Sequence, residues 1–185
     1  MFREAKTGHA GRARVAEEAL KHLDHLYRVA FHLAKEPADA EDLVQETFSR
    51  ALTAAEQFSS GTNIKAWLTR ILYNFFLDEY RRSKRWFSSK QQDEIPLAER
   101  RADPNPGPES RALNRELDEQ IVAGLRQMPE EFRMAMVLVD IGGFAYDEAA
   151  AILACPIGTV RSRLSRARKL MREYLSSYVE QGRQP

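Results

Sequence analysis

Cysteine is almost missing from this sequence, since Cys155 is the single one among 185 residues. A lone cysteine excludes an intramolecular disulfide and any metal site built from several thiolates, and it fits a reducing compartment. Long apolar runs are missing too, because none approaches the roughly 20 residues of a membrane span. The amino end, MFREAKTGHAGRARV, also lacks the apolar stretch of a signal peptide. We therefore expect a soluble cytoplasmic protein with no membrane span.

The sequence has no excess of charge of either sign. Its 28 lysines and arginines nearly cancel its 27 aspartates and glutamates, and the net charge is +1. Any affinity for nucleic acid must therefore come from charge that is segregated along the chain. Motifs for catalysis are missing as well, because the 4 histidines have no cysteine or carboxylate cluster beside them. We expect no enzyme activity, no metal and no cofactor.

Apolar residues recur mostly at the spacing of a helix, and strand-like alternation is nearly absent. In the amino half, the apolar spacing predicts one long helix from Val15 to Ala34 and a second helix that Asp39 opens. The loop residues FSSGTN follow, and a third helix starts near Ile64 and ends in the basic run RRSKR. These helices predict a small domain over residues 1–87.

The composition changes sharply after this domain. Ser88 to Ser110 contains four prolines and few large apolar residues, so we expect an extended linker over residues 88–112. Helical spacing then resumes, with a break predicted at Gly142 and Gly143, and indicates a second domain over residues 113–179. The predicted fold is therefore all-α, with two small helical domains joined by an extended linker.

The second domain ends in a helix-turn-helix pattern. A short helix, YDEAAAIL, precedes a tight turn at Ala154 and Cys155, and Pro156 suits the start of a long helix because its missing N–H is not needed there. The long helix has an apolar face of Val160, Leu164, Ala167, Met171 and Tyr174. Its opposite face carries Arg161, Ser162, Ser165, Arg166, Lys169 and Arg172. Arginine and serine can read base edges in the major groove or hold phosphate. Acidic residues are scarce beyond Ile157, which favours DNA binding over a merely solvated surface.

Two helices of the first domain carry different surfaces. The polar face of DAEDLVQETFSRAL is acidic and would be repelled by DNA, which suggests a protein partner. Solvating charge that also stabilises the first helical turn is the alternative for these acids. The third helix combines basic residues with aromatic ones, a mixture suited to unstacked single-stranded bases. Packing in the core is the alternative for most of those aromatic side chains, which include Trp67, Tyr73, Phe75, Phe76 and Tyr80.

These motifs resemble those of a bacterial sigma factor of the extracytoplasmic-function class, a two-domain promoter-recognition subunit of RNA polymerase. DAEDLVQETFSRAL is similar to the second conserved region of that family, and IKAWLTRILYNFFLDEYRRSKR is similar to the helix that follows it. MPEEFRMAMVLVDIGGFAYDEAAAILACPIGTVRSRLSRARKLM is similar to the fourth region. The resemblance covers most of the chain outside the linker and the ends, and the residues before Val15 match no family pattern.

The resemblance implies a role for each of the three surfaces. The acidic helix would dock on the clamp coiled coil of core RNA polymerase through Asp39, Asp42, Gln45 and Glu46. The third helix and the loop before it would open the −10 promoter element and hold a flipped base through Asn63, Lys65, Trp67, Arg70, Asn74 and Arg81. The basic helix would read the −35 element through Thr159, Arg161, Ser162, Ser165, Arg166 and Lys169. The further partner that the resemblance implies is an anti-sigma factor that covers both domains.

A helix-turn-helix repressor or activator that acts without polymerase is the alternative function. Its amino half would then be a ligand-binding or dimerisation domain. Against this alternative, the amino half has no glycine-rich phosphate loop and no clustered polar pocket signature. An acidic helix beside a basic aromatic one also has no evident role in a repressor.

Overall fold

The computed structural model describes residues 4–34, 36–58, 63–87 and 108–181, and within these ranges it contains helices and no strand. The amino-terminal domain consists of α1 (Glu4–Leu20), α2 (Leu23–Leu33), α3 (Pro37–Thr53) and α4 (Ile64–Phe87). The carboxy-terminal domain consists of α5 (Pro108–Gln127), α6 (Glu130–Met136), α7 (Tyr146–Leu153) and α8 (Ile157–Gln181). The all-α prediction is confirmed. Most of the predicted linker, residues 88–107, lies outside the described residues.

The prediction of one long helix from Val15 to Ala34 is wrong, because two helices, α1 and α2, share this segment. The chain turns at Lys21 and His22, where the N–H of His22 donates to the carbonyl of Ala19 (3.0 Å), and α2 then begins at Leu23. Ala19 before the turn and Leu26 after it are both buried, so the apolar stripe continues across the break. Apolar spacing could not reveal a turn that leaves the stripe facing the same core.

The core of the amino-terminal domain lies where α2, α3 and α4 meet. Leu26, Leu68 and Leu72 are fully buried there. Thr47 is also fully buried, and its hydroxyl donates to the carbonyl of Leu43 one turn earlier (2.6 Å), so that the polar atom is satisfied inside the core. This packing orients the opposite faces of α3 and α4 outward.

Specific residues begin two of these helices. Pro37 occupies the first turn of α3, where its missing N–H removes no helical hydrogen bond. Asn63 precedes α4, and its side-chain oxygen accepts the N–H of Ala66 (3.2 Å), which is the geometry of a helix cap.

The helix-turn-helix prediction is confirmed in the carboxy-terminal domain. Ala154 follows α7 in the left-handed conformation (φ 50), and the carbonyl of Pro156 accepts the N–H groups of Thr159 and Val160 at the start of α8. The predicted apolar face of α8 is buried, with Val160, Leu164, Ala167 and Met171 in the core and Tyr174 half-buried. Its opposite face is therefore directed away from the domain.

The connection between α6 and α7 brings further residues toward α8. After α6 the chain makes one turn of π-helix, Val137–Ile141. Gly142 closes this turn, and Gly143 adopts a positive φ of 67, which glycine tolerates without steric strain. A Cβ atom on Gly142 would lie 2.8 Å from the carbonyl oxygen of Leu138, so the backbone passes too close for a side chain. The predicted helix break at Gly142 and Gly143 is thus confirmed.

Candidate nucleic-acid interface

The outer face of α8 presents the side chains that were predicted to bind DNA. Thr159 lies at the edge of this face, half-buried, and its carbonyl accepts the hydroxyl of Ser162 (3.0 Å). The exposed members are Arg161, Ser162, Ser165, Arg166 and Lys169. A continuous strip of hydrogen-bonding groups on one exposed helix face has the shape and chemistry that the major groove accepts.

Aromatic rings support two of the exposed arginines. The guanidinium carbon of Arg161 lies 5.8 Å from the centre of the Tyr146 ring, and that of Arg166 lies 5.9 Å from the centre of the Phe132 ring. Cation–π contacts at this distance favour one direction for a long side chain. Tyr146 belongs to α7 and Phe132 to α6, so these two helices help to position the arginines of α8.

Two other arginines of α8 are paired with carboxylates. Arg168 donates from two nitrogens to Asp140, at 2.6 and 3.0 Å, and Arg163 donates to Glu131 at 3.3 Å. The hydrogen bond to Asp140 is the largest cause of a raised pKa at Arg168. On a helical wheel both arginines lie beside the exposed face, within reach of phosphates, but the wheel cannot show their partners, which lie 28 and 32 residues earlier in the chain.

The acidic face of α3 is on the surface, as the sequence predicted. Asp39, Asp42 and Gln45 are exposed. Glu46 is half-buried and accepts a hydrogen bond from Nε of Arg50 (2.7 Å). Asp39, Asp42 and Gln45 are thus directly accessible to a partner, whereas Glu46 is held by its own helix.

The predicted single-strand-binding residues of α4 divide into two groups. Arg70, Asn74 and Arg81 are exposed. Trp67 is half-buried, packs against the core and lies 5.0 Å from the Phe58 ring, centre to centre. Core packing, the alternative for the aromatic residues of this helix, is thus confirmed for Trp67. It is also confirmed for Phe76, which is buried.

The other two predicted residues of this set face the carboxy-terminal domain. The Asn63 amide nitrogen donates to Glu148 of α7 (2.6 Å). The Lys65 ammonium donates to the carbonyl of Gly142 (3.0 Å) and lies 4.6 Å from the centre of the Phe144 ring. Sequence reasoning missed these partners, and no local signal could have found them, because they follow 85 and 77 residues later.

His25 of α2 is a titratable group at the same contact between the domains. Its ring lies 5.3 Å from the Phe144 ring in an edge-on arrangement, and its Nε2 atom is buried with no hydrogen-bond partner among the described residues. Burial, reinforced by the positive charges of Lys65, Arg28 and His22, lowers the pKa of His25 to about 4. His25 is therefore neutral in the folded protein at neutral pH.

This lowered pKa predicts a loss of stability in acid. An unfolded histidine has a pKa of about 6.5, so between that pH and about pH 4 the unfolded chain binds a proton that the folded chain does not. The free energy of unfolding should be highest above this window and should fall as the pH falls through it. His25→Phe, which keeps a ring against Phe144, should lose less thermal stability between pH 7 and pH 5 than the unmodified protein. Equal losses in both proteins would contradict the assignment.

Two family models match these domains. The Sigma-70 region 2 model matches residues 19–86, and the Sigma-70 region 4 model matches residues 118–171. The ECF RNA polymerase sigma factor EcfG of Rhodopseudomonas palustris is 35% identical over 164 residues, which are 89% of this chain and 85% of the relative. The chain belongs to the extracytoplasmic-function class of sigma-70 factors. Proteins of this class direct RNA polymerase to promoters, and we call α2 to α4 region 2 and α5 to α8 region 4.

A second relative and a solved structure are similar to both regions. The ECF sigma factor SigE of Mycolicibacterium smegmatis is 38% identical over 161 residues, which are 85% of this chain. This chain spans only 60% of the length of that relative. The sigma factor RpoE of Bartonella quintana, solved in complex with the anti-sigma factor NepR, is 32% identical with a TM-score of 0.73, over 86% of this chain and 95% of that one.

The described residues show neither a metal site nor a membrane helix. Within the described ranges, no group of three or more histidine, cysteine, aspartate or glutamate side chains is placed to hold a metal ion. No helix in the same ranges is long and apolar enough to cross a membrane.

Proposed function

We propose that this sigma factor binds core RNA polymerase, reads the −35 and −10 promoter elements with separate surfaces, and helps to melt the DNA between them. The observation that carries the proposal is the exposed polar face of α8, which lies opposite a buried apolar face. The chain itself performs no covalent chemistry, since polymerase carries out the synthesis. Its place of action is the cytoplasm, where it meets polymerase.

In this proposal α8 reads the −35 element in the major groove. Arg161 and Ser162 lie in the first turns of the helix, and the amino-terminal residues of a recognition helix are those that reach base edges. Arg166 follows just over one turn after Ser162, and Lys169 lies three residues further along. Arg161 and Arg166 can each form a forked pair with guanine, whereas Lys169 is suited to phosphate or to a single guanine contact.

Region 2 takes the other two roles in the proposal. The exposed residues Asp39, Asp42 and Gln45 of α3 form an acidic surface for core polymerase. Arg70 and Asn74 lie four residues apart on the exposed face of α4, where an unpaired base and its phosphate could both be held. Unstacking a base costs about a few kcal/mol, which binding to polymerase and promoter must offset.

The contact between the regions must open during this process. Asn63 and Lys65 can reach DNA only after they leave Glu148 and Gly142 of region 4. The closed arrangement also places both regions side by side, within reach of one binding partner. We propose an anti-sigma factor as that partner, and the solved complex of the Bartonella quintana relative with the anti-sigma factor NepR supports this.

Run-off transcription with core polymerase tests the proposal. We expect the protein to stimulate specific starts on a genomic fragment library, with two spaced motifs upstream of each start. Asp42→Ala should lower this stimulation strongly, because Asp42 is exposed at the centre of the acidic surface. Glu41→Ala is the matched control, since Glu41 is an exposed acid of the same helix that is directed about 100° away from Asp42 around the helix axis, and its loss should have a smaller effect.

Two outcomes would contradict the proposal. If no core enzyme is stimulated and the chain alone binds duplex DNA tightly, the repressor or activator function would replace it. If Asp42→Ala and Glu41→Ala lower transcription equally, α3 would not be the polymerase-binding surface.

A further inference from the structure

Arg168 lies next to the reading surface of α8 and is nevertheless bound to its own domain. It follows Arg161 by seven residues, two helical turns along the same side of α8. Its Nε donates to one carboxylate oxygen of Asp140 at 3.0 Å, and a terminal Nη nitrogen donates to the other at 2.6 Å. A forked arginine–carboxylate pair is the strongest and most directional geometry for these two groups. Within the described residues, it is the only bidentate ion pair of α8.

A free arginine at this position would affect DNA binding in a defined way. A cation beside the groove contacts phosphate, and phosphate contacts strengthen binding to every sequence alike. Each phosphate contact also makes the logarithm of the binding constant fall more steeply with the logarithm of salt concentration, by about 0.9 per contact on duplex DNA. Paired with Asp140, Arg168 contributes no net charge, and the carboxylate stays close to it.

We propose that Asp140 is a specificity-determining residue that holds Arg168 away from the DNA backbone and so lowers sequence-independent binding by region 4. This inference rests on the proposed −35 reading by α8. Asp140 does not contact DNA in this scheme, because it acts through Arg168.

The salt dependence of duplex binding tests the inference. We would measure binding of the full chain to two duplexes, one scrambled and one with the −35 motif, by fluorescence anisotropy over a series of salt concentrations. The salt concentration at which the chain elutes from each immobilised duplex gives a second measure of affinity. Asp140→Asn should bind the scrambled duplex several-fold more tightly, and the slope of log K against log salt should steepen by about 1. The preference for the −35 duplex should shrink.

Three variants separate this effect from damage to the fold. Asp140→Glu keeps the carboxylate and should keep the original slope. Arg168→Ala should leave the slope unchanged, because the arginine makes no phosphate contact in the unmodified chain. The double variant Asp140→Asn with Arg168→Ala should lose the added slope of Asp140→Asn. Circular dichroism melts show whether each variant is folded.

Two results would overturn the inference. Weaker binding of Asp140→Asn to the scrambled duplex would mean that Asp140 has only a structural role. A slope that flattens by about 1 in Arg168→Ala would mean that Arg168 already contacts phosphate despite its pairing. These measurements need only duplex DNA, so they are distinguishable from a failure of the proposed function, which would appear as absent stimulation of polymerase.

Discussion

Arg161→Ala is expected to remove most of the −35-dependent transcription by this sigma factor. Arg161 is exposed in the first turns of α8, and its guanidinium lies over the Tyr146 ring. This contact orients the side chain before DNA binds. A forked arginine–guanine pair contributes about 1–3 kcal/mol of discrimination, or roughly 5- to 150-fold in binding. The measurement is run-off transcription from one promoter of the chain and from the same promoter with a scrambled −35 element. The loss should be confined to the intact promoter.

A lysine at the same position is the informative control. Arg161→Lys keeps the positive charge but removes the fork, so it should keep sequence-independent affinity while losing discrimination. Arg28→Ala removes an exposed arginine from α2 and should leave the preference for the intact promoter unchanged. An equal loss from intact and scrambled promoters in Arg161→Ala would assign Arg161 to phosphate rather than to a base.

Leu164→Ala is expected to destabilise region 4 by about 2–5 kcal/mol, because truncation of a buried leucine removes apolar contacts and leaves a cavity. Leu164 is 2% exposed and lies on the buried face of α8. A whole domain is stable by only about 5–15 kcal/mol, so this change removes a large part of the total. Differential scanning calorimetry should show unfolding moved to lower temperature.

Leu170→Ala on the same helix is the control for this prediction. Leu170 is 37% exposed, so its truncation should change the free energy of unfolding by about 0.5 kcal/mol or less. Equal shifts for Leu164→Ala and Leu170→Ala would contradict the burial pattern. A large loss only for Leu164→Ala would show that the apolar face holds α8 in position.

The two domains and the helix-turn-helix could be predicted because they depend on neighbouring residues. The apolar face of α8 follows from residues three and four apart, and the structure buries it as expected. Gly142 and Gly143 predicted the end of the helical segment before α7, and both lie where it ends. The turn at Lys21 and His22 escaped prediction, because Ala19 and Leu26 keep one apolar stripe across it.

The candidate sites were predicted only in part, because helical spacing shows which side chains face outward but not which distant residues contact them. Exposure of Asp42 and Arg161 follows from their place on the helix, and both are exposed. Trp67 shares its helix face with Arg70 and Asn74, but it packs against Phe58, which the helical wheel does not contain. The pairing of Arg168 with Asp140 could not be predicted either, because Asp140 lies 28 residues earlier and outside α8.

The sequence by itself determined the helical class, the helix-turn-helix, the buried stripe of α8 and the family, since these depend on residue spacing and on motifs a few tens of residues long. Only the tertiary structure decided which polar side chains are available. Asn63 and Lys65 face region 4, and Arg168 faces Asp140, through contacts between residues at least 28 positions apart. A hydrogen bond or ion pair forms wherever folding brings two groups within about 3 Å, and spacing along one helix carries no information about distant partners.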